Sequence, residues 1–105
     1  MAPMLPYRID FDDVKWQSPV AGTRVKSYVS NGKQLRLLEL SEEFVEHDWC
    51  EKGHIGLVLE GAMEVDFDGQ SVSYKKGDGV FIPQGCAHKA RSLTPVVQLI
   101  LVEDV

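Results

Sequence analysis

Several signals are scarce in this chain, and each shortage narrows what it can be. Only two of its 105 residues are cysteine, Cys50 and Cys86. That is too few for a disulfide framework and fits a reducing compartment, so the expected location is the cytoplasm. Basic residues are outnumbered: Lys plus Arg is 11, Asp plus Glu is 16, and the net charge is −5. Without a basic stripe the chain is not expected to bind nucleic acid, because phosphate neutralisation supplies most of that affinity. An anionic membrane surface is disfavoured for the same reason. No apolar run reaches the length of a transmembrane helix. The opening Met1-Ala-Pro-Met-Leu-Pro6 lacks the basic region and apolar stretch of a secretory signal. Serine nucleophile elbows, P-loops and dinucleotide fingerprints are missing too, as are repeats and low-complexity tracts.

A helical period is the remaining absence, and strands fill its place. Arg24 to Val29 is rich in β-branched and aromatic residues, and Asn31-Gly32 is a strong hairpin signal. Lys33 to Leu40 returns, Ser41-Glu-Glu43 interrupts, and Phe44 to Cys50 is predicted to resume the strand. His54 to Glu60 is apolar on both faces and needs cover on both. Met63, Val65 and Phe67 alternate with acids, Asp68-Gly69 turns the chain, and Ser71 to Tyr74 comes back. Val80 to Ile82 and Val96 to Val102 complete the set. Strands at this spacing, separated by Gly-containing turns, predict an antiparallel sandwich or barrel. Residues 1–22, with Pro3, Pro6 and Pro19, read as an N-terminal arm laid along a barrel formed by residues 23–105.

One stretch carries more than strand propensity. In Gly77-Asp-Gly-Val-Phe-Ile-Pro-Gln-Gly-Cys-Ala-His88 a turn leads into a short apolar strand. Pro83 and Gly85 end it, and three residues later comes an imidazole. This resembles the second cupin motif, G-x5-P-x-G-x2-H-x3-N, matched by Gly77, Pro83, Gly85 and His88, with Ser92 in the asparagine position. The first motif, G-x5-H-x-H-x3,4-E-x6-G, ends on Gly61 and places His54 where the family has Glu, Gln or His. Its histidine pair falls on Asp48 and Cys50 in one spacing, or on His47 and Trp49 in the other.

The resemblance implies an all-β, antiparallel double-stranded β-helix, the jelly-roll cupin barrel, with a small-molecule site inside it. It also implies a divalent metal (Zn, Fe, Ni, Mn or Cu) on His54, His88, Cys50 and Asp48, with His47 as the alternative to Asp48. Thiolate and imidazole suit those metals better than Mg or Ca. A Cys50, His54, Cys86, His88 zinc site is a further arrangement of the same residue types. Trp49, Met63, Tyr74, Phe81 and Gln98 are candidate pocket walls. With such a metal the expected chemistry is of oxygenase or isomerase type. The competing class is a non-catalytic binding module whose metal site has decayed. If His54 points inward, then Ile55, Leu57 and Leu59 point out, and a homodimer interface would cover them.

Overall fold

A computed structural model describes residues 7–105. A 3-10 turn, Phe11–Asp13, precedes eight strands: β1 (Thr23–Ser30), β2 (Lys33–Ser41), β3 (His54–Glu60), β4 (Ala62–Phe67), β5 (Gln70–Lys75), β6 (Gly79–Ile82), β7 (His88–Ser92) and β8 (Val96–Asp104). They form two antiparallel sheets, ordered β1-β2-β8-β3-β6 and β5-β4-β7. This is the antiparallel sandwich that the turn spacing predicts, in the jelly-roll form that the resemblance implies. Among the described residues no helix is long and apolar enough to cross a membrane.

Strand parity builds the interior. In β8, Val97, Leu99 and Leu101 are buried, while Val96 and Val102 are exposed. β8 pairs with β2 on one side and β3 on the other. That central place demands an uninterrupted β-forming run, and the sequence supplies one. From the facing sheet Met63 and Val65 complete the core with Val58, Val80 and Ile82. The β1–β2 hairpin turns on Asn31 and Gly32, whose φ values of 51° and 74° are both positive. That is why Asn-Gly is found there. At Gly56 the reason is close approach: a Cβ would fall 1.9 Å from the Ile100 carbonyl oxygen across the β3–β8 ladder.

The segment before β1 follows its edge. Gln17 and Val25 exchange backbone hydrogen bonds of 2.9 and 2.7 Å, and the Trp16 ring lies beneath Arg24 and Lys26. The part of the expected arm before Tyr7 lies outside the described residues.

Two local expectations change. Phe44 to Cys50 is not a strand; only Cys50 pairs, in an isolated bridge to His88. The segment covers the free edge of β7 with that bridge and with the Glu46 carboxylate, which accepts from the Ala90 N–H at 2.8 Å. A side chain thus does for one backbone donor what a ladder would have done. Conversely, His88-Lys-Ala-Arg-Ser92 forms β7 without an apolar run to announce it.

Candidate metal centre and cavity

Between the sheets lies a cavity of about 310 Å³, the lower end of the size range for small-molecule sites. Its walls come from β1, β2, β3, β6 and β8 on one side and from β4 and β7 on the other. Three possible metal donors meet at it. Cys50, His54 and His88 each offer a ligand atom, and these atoms lie within 4.8 Å of one another. Backbone pairing positions two of them: Cys50 N donates to His88 O, and His88 N donates to Cys50 O, both at 2.9 Å. His54 arrives on β3, next to β6. The two imidazole rings stand edge to face, with centroids 5.2 Å apart.

Hydrogen bonding decides which nitrogen each ring has to offer. His54 Nδ1–H donates to Glu103 Oε2 at 2.7 Å, and His88 Nδ1–H donates to the Cys86 carbonyl at 2.8 Å. A neutral ring held this way would present its lone pair on Nε2, the form in which histidine ligates a metal. Two imidazoles and a thiol, all borderline-soft donors, fit Zn, Fe, Ni or Cu. A metal held by these three donors would have room left for water or substrate.

Glu103 supports this arrangement from behind. Its side chain is 1% exposed and lies 2.6 Å from Arg36 Nε, off the axis of a hydrogen bond. Arg36 Nη2 donates to Oε2 at 2.7 Å, and Gln34 Nε2 donates to Oε1 at 3.1 Å. Lys52 Nζ stands 3.6 Å away. Burial alone would raise the carboxyl pKa, but the His54 and Arg36 hydrogen bonds and the Arg36 and Lys52 charges outweigh it. The net result is a value of about 2.

The other expected site residues lie elsewhere. Asp48 and His47 are exposed and border a shallow outer depression with Trp49. The motif spacing sets Asp48 beside Cys50, but no strand forms there to put the two on one face. Cys86 contributes its carbonyl and packs against the core; its thiol is not in the converging set. Of the expected walls Met63 lines the cavity, and the other four do not. Trp49 is exposed beneath Lys89. Phe81 is 72% exposed, because Val80 and Ile82 take the inward parity of β6. Gln98 sits on the outer face and donates to Glu39. Tyr74 packs beside the core, where burial and then Cys86 push its phenol above the ordinary range.

Arg36, Glu46, Lys52 and Glu103 are the site residues that motif matching passes over. A signal for two of them existed. Glu103 continues the inward series of Val97, Leu99 and Leu101, and Arg36 shares the inward face of Leu38 and Leu40. A charge at an apolar position of a strand needs a partner, and here each is the other's.

Comparison with known proteins bears out the fold. The cupin-domain family matches residues 39–102, more than half of the chain, and the protein belongs to that family. Similar solved structures include the polyketide cyclase RemF from Streptomyces resistomycificus, 20% identical, with a TM-score of 0.75 over 95% of this chain and 80% of that one. KdgF from a Halomonas species is 23% identical, with a TM-score of 0.72 over 87% of each chain. A putative ethanolamine utilization protein Q from Salmonella typhimurium is also 23% identical, with a TM-score of 0.72 over 92% of this chain and 84% of that one. At these identities the likeness is one of fold. No curated protein matches the chain.

Proposed function

We propose that this cupin binds a small molecule in the cavity beside a divalent metal held by Cys50, His54 and His88. The observation that carries the reading is the convergence of one ligand atom each from Cys50, His54 and His88 within 4.8 Å, with both Nδ1 atoms hydrogen-bonded to fixed oxygens. A metal bound there would supply Lewis-acid or O₂ chemistry toward a carbonyl or carboxylate compound, as in an isomerase or oxygenase. The protein's own part is to fix both tautomers, keep the thiol next to them and surround the ligand with apolar walls. Cys50 must stay reduced for this, in keeping with a cytoplasmic setting; both cysteines are free thiols. The test is metal analysis of protein purified without an affinity tag. Near-stoichiometric Zn, Fe, Ni, Mn or Cu is expected. Metal-free protein whose melting temperature ignores a strong chelator would favour a plain binding module.

The same reading includes a homodimer. On the outer face of the larger sheet, Phe81, Ile55, Val102 and Leu35 occupy paired positions across β6, β3, β8 and β2. Leu57, Ile100 and Leu37 form the adjoining row. With Phe81 72% and Ile55 51% exposed, this row is unlike the charged surfaces of ordinary monomers. Light scattering should return twice the 11.7 kDa chain mass, and the double variant Phe81→Glu, Ile55→Glu should return a folded monomer. A monomeric parent protein would remove this part of the proposal.

A further inference from the structure

The cavity lining is unequal in a way that bears on its ligand. Most of it is aliphatic or aromatic, with Leu38, Leu40, Phe44, Val80 and Leu99 among the walls. The charged side chains that line it are Arg36, Lys52 and Glu46. Glu46 is already engaged by the Ala90 N–H. Arg36 and Lys52 are drawn together by Glu103, which is buried behind them and does not line the cavity. Of the Arg36 nitrogens only Nη2 donates to Glu103, while Nε stands beside it without a hydrogen bond; Lys52 is 48% exposed and carries three donors of its own.

Arg36 and Lys52 bring two positive charges to the cavity wall, while Glu46 is held by the Ala90 N–H and Glu103 lies buried behind them. Arg and Lys at one end of an apolar cavity suit a carboxylate head better than a neutral one.

We infer that the ligand is a small monocarboxylate with an aromatic or branched apolar body, its carboxylate held at the Arg36–Lys52 end. This rests on the reading of the cavity as a ligand site beside a metal. A polyhydroxylated acid fits poorly, because each hydroxyl facing Leu or Val would be desolvated without a partner. At about 1–3 kcal/mol per hydroxyl, two such groups cost about thirtyfold or more in affinity.

Calorimetric titration tests this with three probes: phenylacetate, gluconate (the same charge on a hydroxylated body) and 2-phenylethanol (the same ring without the charge). Each is titrated into zinc-loaded and chelator-treated protein. Phenylacetate should bind at least about tenfold tighter than either competitor, and Lys52→Met should weaken it about tenfold. Equal binding of gluconate would overturn the apolar body. Equal binding of 2-phenylethanol, or an unaffected Lys52→Met, would overturn the carboxylate assignment. No phenylacetate binding to a protein that does take up zinc would overturn the inference alone. Phenylacetate bound by a protein that takes up no zinc would support it and overturn the metal reading instead.

Discussion

Zinc affinity should fall by a hundredfold or more when His88 is replaced by alanine. Structural zinc sites are held by about 10–16 kcal/mol, usually spread over four ligands, so losing one donor removes roughly 3 kcal/mol. His88 is 3% exposed, so the substitution also leaves a void, and folding must be measured separately. Denaturant unfolding in excess chelator gives that number, and competition against a chromogenic chelator gives the zinc affinity. Cys50→Ser separates the two more cleanly. The contacts of Cys50 with His88 run through backbone atoms, so stability should barely move while zinc affinity drops. Asp48→Ala and His47→Ala are the controls, since both side chains are exposed and outside the donor cluster. Equal zinc affinity in His88→Ala, Cys50→Ser and the parent protein would show that the cluster is only packed polar side chains.

These controls mark where the sequence could be read and where it could not. Strands with a strong period, such as Met63 to Phe67 and Val96 to Val102, are stated by their own side chains, because one face must be dry. Two histidines more than thirty positions apart were brought to one place by motif spacing, not by periodicity. The 44–50 segment was misread because alternation is a rule for laddered backbone, and only one residue of that segment is laddered. With no strand there, Asp48 and Cys50 do not share the face that two positions of a strand would share. The wall residues failed for a different reason. Phe81 and Gln98 sit next to inward-facing neighbours in strands that had been identified, so their parity could have been assigned from Val80, Ile82, Val97 and Leu99. A large or polar side chain in a pocket-forming region is no substitute for that parity. Glu103 was legible on the same basis: a carboxylate in step with three buried aliphatics must have cationic company.

Glu103→Gln should cost about 3 kcal/mol of folding stability at neutral pH in metal-free protein. The carboxyl is held at about 2, well below its ordinary 4.5, and its side chain is almost completely buried, so solvent screening takes little away. A depressed carboxylate stabilises the fold wherever it is ionised in the unfolded chain as well. Its contribution is therefore whole above pH 4.5 and is lost as pH falls through the folded value near 2. The glutamine variant has no such group to protonate. Plotted as denaturation free energy against pH in chelator, the parent and variant curves should converge as pH falls from 4.5 toward 2. Other carboxylates, such as Asp78 with its hydrogen bond from the Lys75 N–H, titrate alike in both proteins and drop out of the difference. A gap that stays constant across that window would mean that Glu103 acts by shape alone. In the presence of metal the same variant should lose about 10–100-fold in zinc affinity, the usual effect of removing the partner that orients a histidine ligand. Loss of stability with zinc affinity intact would separate Glu103 from His54 and leave it as a clasp for Arg36 and Lys52.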